Sequence, residues 1–360
     1  MKICIDARFW GIEHTGIGRY IENLIDNLPS DVILIVPPKL KNEPKLARFH
    51  KYYARFHPYS LVSQLEMLWI LSFIRPNLLH VPHFTIPILW PGKMIVTIHD
   101  LIKHLSRGYD TTTRNPLFYW LKYFGYLTIV WLAIHRASHV FVPAKYWKKA
   151  LVEKYKISEE KISVTYEGVS SSLSQSSQKF GIGLDKPYVL YVGNIYPHKD
   201  VPTLVKSIKQ LNGEILGVIV CARSVFRVRL EKIIKNLDAD KFIKFYEKIS
   251  DQELSGLYAG SLAFVTPSLI EGFGLPGLEA MAMGTPVIAA NASCLPEIYG
   301  NAALFFRSGD VQDLTEKIME IKNDLKLRNK YITRGFAKVK TYSWAKMTKL
   351  TWQIYQNVLH

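Results

Sequence analysis

Two glutamates, Glu271 and Glu279, bracket a glycine-rich turn and are the clearest candidates for chemistry in this sequence. Their segment, Glu-Gly-Phe-Gly-Leu-Pro-Gly-Leu-Glu, joins a strand pattern that ends near Val265 to a helix pattern from about Pro276. Proline suits the first turn of a helix and leaves the preceding amides free to bind oxygen atoms. Glu271 can reach a sugar or a developing positive charge, and Glu279 can accept hydrogen bonds from the vicinal hydroxyls of a ribose. A structural role explains the glycines but not both carboxylates.

A second loop, from Tyr191 to Lys199, supplies a positive charge. Gly193 and Asn194 end an apolar strand pattern, and Lys199 precedes the next helix pattern. A glycine loop, a helix start and an ammonium group together suit a diphosphate, because the ammonium group carries the opposite charge. Taken alone, a lysine at this position is more often a solvated surface residue.

Two further motifs lie in the first half of the chain. Gly16-Ile17-Gly18-Arg19-Tyr20 opens the first helix pattern, where glycine lets a ligand approach the backbone. A tight packing turn is equally compatible, and without a third glycine at the dinucleotide spacing a nicotinamide cofactor is disfavoured. Thr97-Ile98-His99-Asp100 ends a strand pattern, at the edge of a parallel sheet that faces ligands. His99 can hydrogen-bond a sugar there; the alternative is a helix cap by Asp100 with a bystander histidine.

Strand patterns rich in β-branched residues alternate with helix patterns along the chain. In the first half the strand patterns are Ile3–Ala7, Val32–Pro37, Leu78–Val81, Met94–Ile98 and His139–Val142. In the second half they are Tyr188–Val192, Leu216–Cys221, Lys241–Phe245, Leu262–Val265 and Val287–Ala290. Helix patterns include Gly18–Leu28 and those beginning near Val201, Ser224, Asp251, Pro276 and Val311. This alternation predicts an α/β protein with two Rossmann-like domains, whose parallel sheets face each other across a central cleft.

The predicted domain boundary is a polar, serine-rich stretch that begins at Ser170. We predict an N-terminal Rossmann-like domain over residues 1–170, a linker over 171–186 and a C-terminal Rossmann-like domain over 187–342. A surface loop within one domain is the alternative reading of the serine-rich stretch. Residues 343–360 form a helix pattern with one apolar face, for which simple packing is a sufficient explanation.

Composition bounds the class of protein. The chain has 360 residues, of which 48% are hydrophobic and 21% charged, as in globular proteins with two domains. Its three cysteines have neither disulfide nor metal-ligand spacing, which indicates a reducing compartment. We see no signal peptide, and the uncharged run Tyr123–Ile134 is too short to span a bilayer, which takes about 20 residues. We therefore expect a cytoplasmic protein.

The net charge of +16 leans toward the N-terminal half. The basic, aromatic stretch Lys39–Arg55 is typical of a segment that contacts the anionic inner face of the plasma membrane, and a solvated helix face is the equally plausible alternative. Nucleic-acid binding would also explain the charge, but the basic residues belong to no reader motif, so we expect no nucleic-acid partner.

Together these motifs identify a resemblance that covers nearly the whole chain. The sequence resembles the retaining family 4 glycosyltransferases, which have the two-Rossmann GT-B architecture. Residues 271–279 fit the Glu-x7-Glu motif of that family, and Gly284-Thr285-Pro286-Val287 and Leu295-Pro296-Glu297 follow at the usual distances. Asp6-Ala7-Arg8 with Thr15-Gly16-Ile17-Gly18-Arg19-Tyr20 is similar to a subgroup whose members often transfer mannose in polysaccharide and lipopolysaccharide assembly.

The resemblance implies a role for each motif. Glu279 would bind the donor ribose, Glu271 would lie beside the transferred sugar, and Lys199 would neutralise the donor diphosphate. His99 would lie near the sugar 6-hydroxyl, and Gly18 would belong to a glycine loop that closes on the phosphates. The backbone of Phe273, Gly274 and Leu275 would contact sugar hydroxyls and phosphate, and Asn194 is a further candidate donor-binding residue.

The resemblance also implies a role for each domain. The N-terminal domain would bind the acceptor and the C-terminal domain the donor nucleotide. The helix over residues 343–360 would cross back onto the N-terminal domain and act as a latch or hinge element between the domains.

The implied reaction moves a hexose from a nucleoside-diphosphate sugar to a saccharide or lipid-linked acceptor in surface-glycan assembly. GDP-mannose is the first donor suggested by the subgroup. Members of the family work without a bound metal, so we expect no metal and no cofactor beyond the donor substrate. A sugar-nucleotide 2-epimerase and a non-catalytic sugar-nucleotide binder are the alternatives.

One position departs from the family pattern. The family commonly has an arginine directly after the glycine of the Gly193 loop, whereas this chain has Asn194. Diphosphate stabilisation would then depend more heavily on Lys199, with His198 as a possible helper. The nearest arginine at a comparable chain position is Arg223.

Overall fold

The computed structural model describes residues 2–11, 15–106, 116–169 and 186–359. Their contacts divide the chain into two compact units. Of the described residues, the first unit holds 2–11, 15–101, 116–167 and 343–359, and the second holds 102–106, 168–169 and 186–342. The linker predicted over 171–186 lies outside the described residues, apart from Lys186.

The first unit is built on seven short parallel strands. They are β1 (Ile3–Asp6), β2 (Ile33–Val36), β3 (His50–Tyr53), β4 (Leu78–Val81), β5 (Met94–Thr97), β6 (His139–Val142) and β7 (Ile162–Val164). Their order in the sheet is β3-β2-β1-β4-β5-β6-β7, and every pairing is parallel. All residues of the central strands β1, β4 and β5 are buried, as expected when helices cover both faces of a sheet.

Helices of the first unit join these strands and cover the sheet. They are α1 (Thr15–Asp26), α2 (Val62–Ile74), α4 (Pro116–Arg136), α5 (Lys145–Tyr155) and the C-terminal α13 (Trp344–Leu359), while the short helix α3 (Ile102–Leu105) groups with the second unit. Tyr20 and Leu24 of α1 and Leu28 just beyond it are buried, which confirms the predicted apolar face.

A buried polar network fixes α13 on this sheet. The Tyr355 hydroxyl and Nδ1 of His80 are 2.5 Å apart, and Nε2 of His80 lies 2.9 Å from Oγ1 of Thr97, which also contacts the Tyr20 hydroxyl at 3.2 Å. Burial, with a smaller contribution from His99, lowers the pKa of His80 to about 3. His80 is therefore neutral at physiological pH and acts as a hydrogen-bonding strut between the sheet and the C-terminal helix.

The second unit has a six-stranded parallel sheet in the order β10-β9-β8-β11-β12-β13. Its strands are β8 (Tyr188–Val192), β9 (Leu216–Val220), β10 (Ile243–Tyr246), β11 (Ala263–Thr266), β12 (Val287–Ala290) and β13 (Ala303–Phe306). Its remaining helices are α6 (Val201–Gln210), α7 (Val225–Asn236), α8 (Asp251–Gly260), α9 (Leu275–Ala282), α10 (Leu295–Tyr299), α11 (Val311–Asn323) and α12 (Leu325–Val339). The predicted α/β class with two parallel, Rossmann-like sheets is confirmed.

The stretch Lys39–Arg55 is not a helix, so the helical reading of it is wrong. It consists of two single 3₁₀ turns, Pro38–Leu40 and Pro44–Leu46, followed by the edge strand β3. Pro44, at the start of the second turn, lacks the amide donor that a helix continuing from the first turn would need. Phe49, one of the aromatic residues predicted to face the membrane, is buried.

Candidate functional site

The candidate site lies at the carboxyl edge of the second sheet. Strand β8 pairs with β11, so the loop after Val192 and the turn after Thr266 leave the sheet side by side. In parallel α/β sheets this edge is where ligands bind, because loops and helix N-termini meet there. Leu269 donates its backbone amide to the carbonyl of His198 at 2.9 Å, which ties the two segments together.

Lys199 and Glu271 form the central contact of the site. The Lys199 Nζ atom lies 2.7 Å from Oε2 of Glu271, and the two side chains are 20% and 13% exposed. A charge-assisted hydrogen bond at this depth is stronger than one at the surface, because less water screens it. The structure thus joins two residues that are 72 positions apart and were predicted to serve diphosphate and sugar separately.

The Glu271 carboxylate is held by its neighbours as well. Ser268 donates its hydroxyl to Oε1 of Glu271 at 2.7 Å, and the Glu271 amide donates to Oγ of Ser293 at 3.0 Å. Cys294 directs its thiol to the Glu271 carbonyl at 3.2 Å. Both carboxylate oxygens therefore have partners, which fixes the orientation of this side chain before any ligand arrives.

The turn that follows Glu271 ends at Gly274, the N-cap of α9. Gly274 has φ +96°, a left-handed conformation that glycine adopts without strain. A Cβ atom at Gly274 would come within 2.6 Å of the Tyr299 hydroxyl, and one at Gly277 within 2.3 Å. Tyr299 donates to the Gly274 carbonyl at 2.7 Å, so the two glycines make room for this tyrosine.

The start of α9 therefore presents backbone amides toward the carboxyl edge. Its first residue is Leu275, Pro276 occupies the first turn, and no side chain caps it among the described residues. Phe273, just before the cap, is buried and packs edge-on against Tyr342 at 5.5 Å between ring centroids. The backbone of Phe273, Gly274 and Leu275 is the part of this turn that can contact a ligand.

Glu279 lies in the same helix, and its side chain is buried. The Tyr258 hydroxyl donates to Oε2 of Glu279 at 3.2 Å. A carboxylate one turn inside a helix that starts at the ligand edge is placed to accept hydrogen bonds from paired hydroxyls. Tyr258 in turn receives support from Thr285, which donates to the Tyr258 carbonyl at 2.6 Å.

The loop that carries Lys199 is a folded turn. Gly193 has φ +144° and donates its amide to the Val220 carbonyl at 3.0 Å, and the Tyr191 hydroxyl donates to the Asn194 carbonyl at 2.6 Å. The Asn194 side chain is exposed. Lys199 then ends the 3₁₀ turn that leads into α6.

His198, predicted as a possible helper for Lys199, has a pKa that favours the neutral ring at pH 7. Burial and the adjacent Lys199 lower the pKa of His198 to about 4, against a smaller opposite effect of Glu271. Its ring stacks on Tyr196 at 5.7 Å and 15°. Arg223 is exposed and lies in the segment between β9 and α7, at the same edge of the sheet.

His99 lies in the first unit, at the carboxyl end of β5. Nε2 of His99 donates to the Pro82 carbonyl at 3.0 Å, and Nδ1 faces Oε1 of Glu167 at 3.6 Å. Tyr20 packs edge-on against the His99 ring at 4.8 Å. Both ring nitrogens thus already face protein oxygen atoms, so a sugar hydroxyl would have to share or replace one of these contacts.

Gly18 lies inside α1, which begins at Thr15. The glycine loop implied by the family resemblance is therefore the first turn of a helix in this chain. Gly18 is buried, whereas Gly16 is exposed and a Cβ atom there would meet nothing within 4 Å.

Sequence analysis did not predict the residues that orient the candidate site residues. Ser268, Ser293, Tyr258 and Glu167 are ordinary polar residues in sequence, and their contacts depend on which strands pair. Only Ser268 carried a signal, since it lies three residues before Glu271 in the turn that the motif defines.

Two family models match the chain in succession. The family model "Glycosyl transferases group 1" matches residues 174–338, which include Lys199, Glu271 and Glu279. The model "Glycosyltransferase Family 4" matches residues 14–173, so that together the two span residues 14–338.

Individual proteins resemble the chain over most of its length. The O-antigen chain mannosyltransferase RfbU of Salmonella typhimurium is 26% identical over 309 residues, 84% of this chain and 80% of the relative. The O-antigen chain mannosyltransferase B of Escherichia coli is 25% identical over 375 residues, 95% of this chain and 96% of the relative. The crystal structure of Anabaena Alr3699/HepE in complex with UDP and glucose is 16% identical, with a TM-score of 0.77 and 99% of each chain covered. The chain belongs to the family 4 glycosyltransferases and resembles the mannosyltransferases that build lipopolysaccharide and polysaccharide chains.

Proposed function

We propose that this glycosyltransferase moves mannose from GDP-mannose to a saccharide or lipid-linked acceptor in surface-glycan assembly, with retention at the anomeric carbon and without a metal ion. The observation that carries the proposal is the 2.7 Å contact between Lys199 and Glu271 at the ligand edge of the second sheet. The two O-antigen relatives are mannosyltransferases, which supports mannose as the transferred sugar.

The proposed reaction breaks the bond between the anomeric carbon and the leaving diphosphate oxygen and forms a bond from that carbon to the acceptor oxygen. The acceptor hydroxyl gives its proton to the leaving phosphate, so no side chain becomes a covalent intermediate. Negative charge grows on the diphosphate as the bond breaks. Lys199 and the backbone amides at the start of α9 (Leu275–Ala282) would stabilise that charge without having to reorganise.

The carboxylates have separate roles in this proposal. Glu271, fixed by Ser268 and by Lys199, would position the sugar and support its positively charged transition state. Glu279 would hold the ribose hydroxyls, with Tyr258 keeping the carboxylate in place. Because Glu271 already partners Lys199, a bound diphosphate would compete for the ammonium group and leave the carboxylate free to face the sugar.

We place the acceptor with the first unit and the protein at the cytoplasmic face of the plasma membrane. None of the helices in the described ranges is long and apolar enough to span a membrane. His99, next to Glu167, would contact the sugar 6-hydroxyl. Gly18, in the first turn of α1 (Thr15–Asp26), would approach the donor phosphates.

A panel of nucleotide sugars tests the donor assignment. We expect GDP-mannose to raise the melting temperature most, since a ligand at 100 times its dissociation constant adds about 2.7 kcal/mol. Incubation with GDP-mannose and an acceptor should release GDP, and NMR should show a product linkage of the same anomeric configuration as the donor. A C2-epimerised donor without released GDP would establish an epimerase, and stabilisation without any product would establish a non-catalytic binder.

A further inference from the structure

Two helices of the first unit expose large apolar side chains. On α2 (Val62–Ile74) the side chains of Leu65, Trp69 and Phe73 are each more than 60% exposed. These residues recur every four positions, so they form one stripe along the helix. Buried residues such as Met67 and Ile70 occupy the side that packs on the sheet. The outer stripe of α2 is therefore as apolar as its inner one, which is unusual for a surface helix.

The second helix is α4 (Pro116–Arg136). Its residues Leu121, Phe124 and Trp131 are 69%, 61% and 50% exposed and lie on one side, while Val130 and Ile134 are buried on the other. Since one side of α4 packs within the unit, this helix can lie in a membrane interface but does not cross it.

Both helices cover the same face of the first sheet. α2 connects β3 to β4 and α4 connects β5 to β6, and both connections run in the same direction along the sheet order. Right-handed crossovers therefore place the two helices on one face. Between them, the Gln64 side chain bonds the backbone of Ile86 and Ile88, and Arg136 donates to the carbonyls of Ile88 and Trp90. We call this surface the α2–α4 face; its members are Leu65, Trp69, Phe73, Leu121, Phe124 and Trp131.

The part of the chain that contains both helices is strongly positive. Residues 51–150, which include both helices, contain 12 Lys and Arg against 3 Asp and Glu. α4 carries Lys122 and Arg136 and no acidic residue. The only acidic residue of α2, Glu66, accepts hydrogen bonds from the amides of Arg55 and Phe56. Exposed tryptophan, phenylalanine and leucine beside basic residues are the composition of a surface that inserts into an anionic lipid interface.

The stretch Lys39–Arg55 is less suited to this task. Lys45 pairs with Glu22, Arg48 donates to the Ile25 and Asp26 carbonyls, and Lys51 donates to the Lys41 carbonyl. At least half of its six basic side chains therefore have protein partners. Its apolar area is also smaller, because Phe49 is buried and Tyr53 is only 38% exposed.

We propose that the α2–α4 face docks this protein on an anionic phospholipid bilayer. The apolar side chains enter the acyl boundary and the surrounding basic residues contact the phosphate headgroups. The inference deepens the proposed function, in which the acceptor is lipid-linked, but vesicle binding needs neither donor nor turnover. Exposed apolar side chains clustered in this way mark protein or membrane interaction sites.

Co-sedimentation of the full chain with vesicles tests the proposal. Wild type should bind vesicles of phosphatidylglycerol and phosphatidylcholine and bind phosphatidylcholine alone much less. Leu65→Glu with Phe73→Glu, and separately Trp69→Glu, should each lower the partition coefficient about tenfold or more, because each removes large apolar side chains from the lipid interface.

Matched controls come from elsewhere on the chain. Leu325→Glu with Phe336→Glu introduces the same charges at exposed apolar positions of the second unit, 67% and 45% exposed, and should leave vesicle binding unchanged. Lys39→Glu with Lys41→Glu should lower binding less than the changes on the α2–α4 face. Thermal stabilisation by GDP-mannose checks that every variant keeps its fold and its donor site.

Three outcomes would overturn the proposal. The first is equal loss of binding in the Leu325 and Phe336 control. The second is a larger effect at Lys39 and Lys41 than on the α2–α4 face. The third is wild-type protein that does not bind vesicles but forms a dimer, detected by light scattering, that Trp69→Glu abolishes. That third result would assign the face to a second copy of the chain. If GDP-mannose fails to stabilise wild type while vesicle binding behaves as expected, the donor assignment fails and the docking surface stands.

Discussion

The carboxyl edges of the two sheets have the same architecture but hold different kinds of side chain. At the edge of the second sheet the polar groups are charged: Lys199, Glu271 and Glu279. At the edge of the first sheet His99 faces Glu167, and the charged pair of Asp6 and Arg8 is buried with its two side chains 2.7 Å apart. A lysine beside carboxylates suits a diphosphate and a developing cation, whereas a histidine whose ring nitrogens face oxygen atoms suits a sugar hydroxyl. In the proposed reaction the second edge therefore handles the charge of the diphosphate, and the first edge contacts a hydroxyl of the sugar.

Removing the positive charge at the second edge should have the largest effect. Lys199→Ala should lower kcat about 10²–10³-fold, the range seen when one transition-state donor is lost. Steady-state kinetics with GDP-mannose measure this. Lys206→Ala, an exposed lysine on α6 (Val201–Gln210), is the matched control and should behave as wild type.

Lys199→Ala also leaves the Glu271 carboxylate without its cation, which could itself repel the donor. The double variant Lys199→Ala with Glu271→Gln removes that repulsion. Recovery of wild-type turnover in the double variant would show that the single variant failed through the stranded carboxylate. The donor role of Lys199 would then be wrong.

Neutralising the buried carboxylate should act on binding more than on turnover. Glu279→Gln should raise the KM for GDP-mannose about 10–100-fold, because a hydrogen bond to a charged group is worth about 1.5–3 kcal/mol. Tyr258→Phe removes only the supporting hydroxyl and should raise KM by less. An unchanged KM with a strongly reduced kcat in Glu279→Gln would instead place this residue beside the reacting atoms.

These residues also show how far sequence alone leads. The motif from Glu271 to Glu279 gave the ligand class, and strands buried on both faces, such as Leu78–Val81, were predicted to the residue. The strands that were missed, β3, β7 and β13, are all edge strands, which are short or partly exposed and so lack a continuous apolar pattern.

The contacts within the site could not be predicted from the sequence, for a different reason. Lys199 meets Glu271 only because β8 and β11 are neighbours although two strands separate them in the chain. Likewise, the neutral state of His198 follows from its burial in the folded unit rather than from its residue type.

The neutral interior behind the first edge should make the protein sensitive to acid. The pKa of His80 is about 3 in the folded chain, whereas its ordinary value is 6.5. Between these two pH values the histidine is protonated in the unfolded chain and neutral in the folded chain. The free energy of unfolding should therefore be unaffected by this group above pH 6.5. Below pH 6.5 it should fall by about 1.4 kcal/mol per pH unit until the pH reaches 3.

Urea unfolding of wild type and His80→Gln at pH 7.5 and 5.5 measures this contribution. Since glutamine does not titrate, the variant should lose less stability between the two pH values. An identical loss in both proteins would show that His80 is not the sensitive group.

The smallest effect is expected at His99 of the first edge. His99→Gln should reduce kcat/KM up to about tenfold, because a neutral hydrogen bond contributes about 0.5–1.5 kcal/mol. Competition between GDP-mannose and its 6-deoxy analogue sharpens the assignment. Wild type should prefer the 6-hydroxyl donor, and the variant should lose most of that preference. A preference that survives the substitution would remove the 6-hydroxyl from the role of His99.

Isothermal titration of GDP and of guanosine into wild type and Lys199→Ala tests the central claim most directly. Guanosine lacks the diphosphate, so it reports on every contact except the one assigned to Lys199. If Lys199 neutralises the diphosphate, the variant should bind GDP about 10–100-fold more weakly than wild type and bind guanosine equally well. Equal GDP affinity in the two proteins, or a matching loss for guanosine, would contradict the account.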